Sequence, residues 1–291
     1  MARQFDGVSC VLCGDRPSSL TGEHVWPSWF LERFPEDHGP YEVWVNGETV
    51  RGREGNPRTQ TSAVRAKLPA CETPCNRTLN TRFEQPAKDL VRRLLDPGAN
   101  RCFDESQVRS LALWLLKTWL LLAHPATRYS DPGFTPAAWE GSADDRYRWV
   151  VTGEEPPDGL SLWVGRAFDR ADGEISPAHI PLPTVVAGTA RVPFHSKRIG
   201  IADLDINVAF HPHWEIQLPA GAAQRLWPNP PSSLDVLDVI SSTTVPFSWL
   251  AGPTVRFAPG VYGTEELPPI SEDGVGEVEL LTRGFIEMVS W

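Results

Sequence analysis

Apolar residues crowd most densely between Leu111 and Ala123, where LALWLLKTWLLLA carries a single charge, Lys117, in 13 positions. This density predicts a buried helix over roughly 105–124, opened by Asp104 with Gln107 three residues on, the pattern of a capping box, and ended near Pro125. Its apolar stretch falls short of the ~20 residues that a membrane span needs, so no membrane partner is expected. Beyond about position 145 the texture changes to short runs: YRWVVTG, GLSLWVGRAF, INVAF, WEIQL and GEVELLTRGFIEMVSW. Gly, Pro, Asp and Asn separate them, which is the pattern of strands and turns.

Ahead of the helix, VSCVLCGD predicts a short strand and a knuckle, and HVWPSWF a strand running into a turn or short helix. YEVWVNGETVRG reads as a hairpin with Asn46-Gly47 at its tip, and VRAKLPAC as a third strand. The segment NRTLNTRFEQPAKDLVRRLLD has helical composition, with Pro86 placed to start a second helical piece or kink the first. Asp96-Pro97-Gly98 is a strong breaker. The expected class is therefore α+β: a ββα unit over residues 1–100, then a helix plus β-rich domain over 101–291 serving recognition, regulation or a homo-oligomer contact. A chain of 291 residues accommodates this division.

Cysteines sharpen the picture of the first region. Five occur, at 10, 13, 71, 75 and 102, and the odd count in a chain with no secretory-type leader argues against a disulfide framework and for a cytoplasmic location. The close pairs Cys10/Cys13 and Cys71/Cys75 instead match structural zinc. Cys102 is left over and is expected as a small buried hydrophobe. Net charge is -10, yet residues 1–100 carry 13 basic and 13 acidic side chains, so the excess lies entirely in the second region. Between 51 and 93, ten basic side chains face four acidic ones. An acidic polymer could be met there, with Arg51, Arg53, Arg58, Arg65, Lys67, Arg77 and Arg82 as backbone contacts.

Within this frame CVLC at 10–13, EHVWP at 23–27 and CETPCN at 71–76, followed by a helix, resemble the HNH endonucleases, the ββα-metal or His-Me finger nucleases, in their zinc-bearing branch. The resemblance spans about 85 residues. It implies a phosphodiester hydrolase, with DNA as the expected substrate and RNA as an alternative, and it implies Mg²⁺ or Mn²⁺ at the catalytic site. His24 takes the role of general base, which suits a side chain with an ordinary pKa of about 6.5. Glu23 and Asn76 are the implied metal ligands, oxygen donors of the kind a hydrated Mg²⁺ accepts. Asn80 and Glu84 follow Asn76 at successive i+4 steps as further ligand or supporting residues. The chain departs from the family in its Cys-x-x-x-Cys spacing and in having only Asn46 or Asn56 to stand for the family's middle Asn. A bacterial defence effector fits this two-part build by analogy.

Blander readings stand beside these. Glu23-His24 can be a polar pair at a strand end, and Asn76 or Asn80 a helix cap. Trp26, Trp29 and Trp44 are better read as core than as stacking platforms. His211 and His213 lack an evident third ligand and read as ordinary loop or surface residues. The competing function is a non-catalytic zinc-binding interaction module.

Overall fold

Asp104 and Gln107 cap the long helix reciprocally. The Gln107 N–H donates to Asp104 Oδ1 at 3.0 Å, and the Asp104 N–H to Gln107 Oε1 at 3.1 Å. The structure, a computed structural model, describes residues 5–32, 41–42, 44–45, 48–49, 59–60, 66–124, 126–127, 145–167, 177–178, 185–187, 190–192, 195–210, 214–217, 221–244, 256–259 and 276–277. The chain is mixed helix and antiparallel sheet and divides into two compact units.

The first unit takes residues 1–89, 113–156 and 287–291. In it β1 (Glu23–His24) runs into α1 (Ser28–Leu31), as expected of HVWPSWF. The short strands β2 (Tyr41–Glu42), β3 (Trp44–Val45), β4 (Glu48–Thr49) and β5 (Thr59–Gln60) follow, with β3 paired to β4 and β2 to β5. Val45 faces Glu48 across that ladder, the register of a hairpin closed by two residues, although Asn46 and Gly47 themselves lie outside the described residues. The third expected strand is β6 (Lys67–Leu68), antiparallel to β1. A wide turn at Glu72–Asn76 leads through α2 (Arg77–Leu79) and a second wide turn, Asn80–Glu84, into α3 (Gln85–Leu95). Pro86 stands second in α3, where the second wide turn gives way to regular helix.

The second unit takes residues 90–112 and 157–286. Its elements begin with β7 (Cys102–Asp104), and α4 (Glu105–Ala123) starts there and ends in the first unit, where α5 (Asp145–Thr152) also lies. A five-stranded antiparallel sheet runs in the order β15 (Gln224–Trp227), β8 (Leu160–Arg166), β13 (Leu204–Phe210), β12 (His195–Ile201), β9 (Pro177–Ala178). Leu162, Val164, Ile206 and Val208 are buried on adjoining strands of that sheet. Beside it are the pairs β10 (Val185–Ala187) with β11 (Ala190–Val192) and β7 with β16 (Ser233–Asp235). The strands β14 (Trp214–Gln217), β17 (Arg256–Pro259) and β18 (Gly276–Glu277) form a three-stranded sheet, and α6 (Val236–Ser242) is capped by Asp235. No helix among the described residues is long and apolar enough to cross a membrane.

Two expectations are corrected. YRWVVTG is not a strand but the body of α5, in which Tyr147, Trp149 and Val150 are all buried and Gly153, at φ +91°, ends the helix. Cys102 is exposed, not buried, and its thiol donates to Asp235 Oδ2 at 3.1 Å. The second half of α4 belongs with the first unit. There Trp26 stacks on Phe30 at 4.6 Å and meets Trp114 of α4 edge-on at 5.6 Å, while Trp29 lies 6.0 Å from Trp114. Trp26 is thus a core aromatic and Trp29 packs half-buried against the same cluster; the side chain of Trp44 lies outside the described residues.

Gly22, just before β1, holds φ +68°, and a Cβ there would meet the Phe5 ring at 2.2 Å and the Leu68 carbonyl at 2.9 Å. Backbone strain and overpacking combine, so Gly22→Ala is expected to lower stability by about 2–4 kcal/mol in chemical denaturation of the full chain. A loss below about 0.5 kcal/mol, the range of a neutral surface change, would contradict this packing.

Candidate metal centre and active site

The N-terminal knuckle is built by a reversal after Cys10. The Gly14 N–H donates to the Cys10 carbonyl at 2.8 Å and the Cys10 N–H to the Arg16 carbonyl at 2.7 Å, with Gly14 at φ +73°. Val11 and Ser19 donate to the carbonyls of Pro69 and Ala70 at 3.0 and 2.9 Å, which ties the knuckle to the segment entering Cys71. On the other side the Asn76 N–H closes the turn onto the Cys71 carbonyl at 3.1 Å, and the Arg16 guanidinium donates to the Thr73 carbonyl at 2.9 Å.

The result is a cluster of four sulfurs, those of Cys10, Cys13, Cys71 and Cys75, all within 4.8 Å of one another. Cys13 and Cys71 Sγ are 3.9 Å apart. Four sulfurs at about 2.3 Å from a central tetrahedral ion lie about 3.8 Å from each other, so this spacing fits such an ion. It is far too long for a disulfide, and all four thiols are free. Burial pushes the Cys10 and Cys75 thiols up, whereas Cys13 is lowered because its burial is outweighed by the Asp15 N–H and by neighbouring thiols. A bound divalent cation would stabilise the thiolates that this crowding resists.

Next to the cluster, β1 and β6 pair Glu23 with Leu68 and His24 with Lys67, and the Val25 N–H extends the ladder to the Ala66 carbonyl at 3.0 Å. The turn Glu72–Asn76 accommodates the extra residue of the Cys-x-x-x-Cys spacing, and the Asn76 amide donates to Glu23 Oε2 at 2.7 Å. Glu84 follows at the end of the second wide turn, its Oε1 at 3.3 Å from Lys117 Nζ. Burial, reinforced by the charge of Glu84 and only partly offset by Lys117, pushes the Glu23 carboxyl up to about 7. Lys117 is fully buried, which lowers its pKa against the opposing pull of Glu84 and Glu23.

The remaining candidates are placed as follows. His24 adjoins Glu23 and is half-buried; alternation on a regular ladder sets the two side chains on opposite faces. Asn80 is exposed and its amide oxygen accepts from Gln85 at 3.3 Å, so the structure does not bring it to Glu23. Arg82 donates to the Trp149 and Glu154 carbonyls and lies over the Phe83 and Trp149 rings, so its donors are engaged inside the first unit. Arg77 is exposed and Lys67 half-buried. Arg51, Arg53, Arg58, Arg65, Asn56, His211 and His213 lie outside the described residues. Lys117 is the member of the cluster that the sequence reading missed, having taken it as an interruption of an apolar run; a lone Lys inside a core helix was the signal, since buried ammonium groups need partners.

No family model, curated protein or solved structure matches this chain.

Two outcomes follow from the geometry. One tightly held metal ion per chain is expected by elemental analysis, lost together with most of the folded structure of the first unit in Cys10→Ser. Glu23 is protonated in the folded chain up to about pH 7 but only up to about 4.5 when unfolded, so the native state binds the extra proton and its stability falls as pH rises through that window. Thermal unfolding of Glu23→Gln against the parent, without added Mg²⁺ or Mn²⁺, is expected to show the variant gaining relative stability between pH 5 and pH 8; parallel curves would remove the buried carboxyl.

Proposed function

We propose that the chain is a metal-dependent nuclease of the HNH type, cutting phosphodiester bonds of DNA, with structural zinc on Cys10, Cys13, Cys71 and Cys75. The observation that carries this reading is the 2.7 Å contact between Asn76 Nδ2 and Glu23 Oε2, directly beside the four-sulfur cluster. Two oxygen-bearing side chains from a strand and from the turn after the cysteines converge on one point, as a hydrated divalent ion requires of its protein ligands. Mg²⁺ or Mn²⁺ bound there supplies positive charge against the phosphate.

The chain's own residues supply the rest. His24 accepts a proton from the attacking water, a role within reach of a half-buried imidazole on β1. Glu23 must shed its own proton to serve as a ligand, so phosphodiester cleavage is expected to rise with pH through about 7. Glu23 through its carboxylate and Asn76 through its amide oxygen would hold the ion, which would supply positive charge at the phosphate. The second unit is assigned to recognition, regulation or self-association.

One observation favours the competing reading of a non-catalytic zinc-binding interaction module. On a regular ladder His24 departs from the face that carries Glu23. Plasmid nicking in Mg²⁺ or Mn²⁺ separates the two readings: His24→Ala and Asn76→Ala are each expected to lose about 10²-fold or more in rate with zinc content retained. Equal cleavage by parent and His24→Ala, or no cleavage of DNA or RNA by the parent, would support the module instead.

A further inference from the structure

A buried lysine is costly to keep. Lys117 is fully buried in the apolar half of α4, between turns that carry Trp114 and Leu120, which are buried as well. Removing an ammonium from water costs several kcal/mol, and apolar residues of the same volume often stabilise as well as a buried ion pair or better. Packing alone would therefore put Leu or Met at this position. What Lys117 has instead are two acceptors at 3.3 Å: Glu84 Oε1 and the carbonyl of Val25, the residue that follows His24. Glu84 also lies close enough to Glu23 for their charges to oppose each other. Two carboxylates thus face one place where the reading above needs a single divalent ion, and a compact, hydrated-type point charge such as lysine can hold one of them back.

We propose that Lys117 is a positioning residue of this site: its ammonium binds the Glu84 carboxylate and the Val25 carbonyl, and so reserves the divalent ion for Glu23 and Asn76. The inference rests on the nuclease reading for the identity of the site, and it adds Lys117, which lies outside the motif that suggested that reading. Two physical consequences are separable. Without the ammonium, Glu84 is free to take the ion, which tightens binding while drawing it from the Glu23–Asn76 position. Without the Glu84 carboxylate, the ammonium turns to Glu23 and competes with the ion. Removing both restores the balance of charge at the site.

The test is a charge cycle on the full-length, zinc-loaded chain, using Lys117→Met, Glu84→Gln and the double variant, with Mn²⁺ alone as the probe. Free Mn²⁺ is read by electron paramagnetic resonance, and thermal unfolding and plasmid cleavage are followed in parallel. Lys117→Met is expected to bind Mn²⁺ about tenfold more tightly and to lose about tenfold in kcat at saturating Mn²⁺, while Glu84→Gln binds it about tenfold more weakly. The double variant returns to within about threefold of the parent in Mn²⁺ affinity and regains most of the lost kcat. Should Lys117→Met fail to fold, Glu84→Gln and the double variant decide the matter by Mn²⁺ affinity. A shift in thermal stability alone, with Mn²⁺ affinity and kcat of both single variants within about threefold of the parent, overturns the proposal, as does a double variant no better than the worse single one. A cycle that holds in a chain that cuts nothing keeps Lys117 as organiser of a metal site and removes the nuclease reading; a flat cycle in an active chain removes only the role of Lys117.

Discussion

Fifty-eight residues separate Cys13 from Cys71, yet their sulfurs stand 3.9 Å apart, and the first unit is organised around that closure. Holding a loop of this length shut costs conformational entropy that grows slowly with length but starts high. Knuckle hydrogen bonds from Val11 and Ser19 and the two-residue ladder of β1 with β6 oppose it, as does the packing of Val25, Trp26 and Leu68 behind that ladder. A metal on the four thiolates would clamp the same closure with far greater strength than any of these contacts alone. Everything proposed for the site inherits its geometry from this junction, because Glu23 lies on one of the strands it joins and Asn76 follows its last cysteine directly.

Electrostatics at the junction is finely opposed. Glu23 and Lys117 lie in surroundings where charges are poorly solvated, and the charge of Glu84 acts on both. Such an arrangement is a poor way to stabilise a fold. The tie from Arg82 to Trp149 and Glu154 adds stiffness at the other side, fixing the wide turn Asn80–Glu84 against α5.

Local physics made much of this legible from the chain alone. The reciprocal cap of Asp104 and Gln107, the strand segments that become β1 and β6, and the approach of the two cysteine pairs depend on short-range rules or on donor chemistry that residue types announce. What escaped was governed by tertiary context. YRWVVTG has the apolar density of a strand, and only the packing of Tyr147 on His124 and of Trp149 on Phe83 decides for a helix. Cys102 was read by the usual burial of free thiols, whereas its neighbour Asp235 arrives from 133 residues away. Lys117 was visible as an oddity, but its partners Glu84 and Val25 are 33 and 92 residues distant, a separation no periodicity reports.

The passage of α4 from one unit into the other bears on how such a motif is inherited and exchanged. The residues proposed as its ligands all fall before residue 85, but the ammonium of Lys117 and the Trp114 ring that backs Trp26 are encoded some thirty residues later, beyond a turn, a strand and half a helix that belong to the other unit. A graft that carried only the cysteines and the strand between them would leave its counter-charge behind. The smallest transplantable piece of this protein is therefore longer than its recognisable signature, and discontinuous.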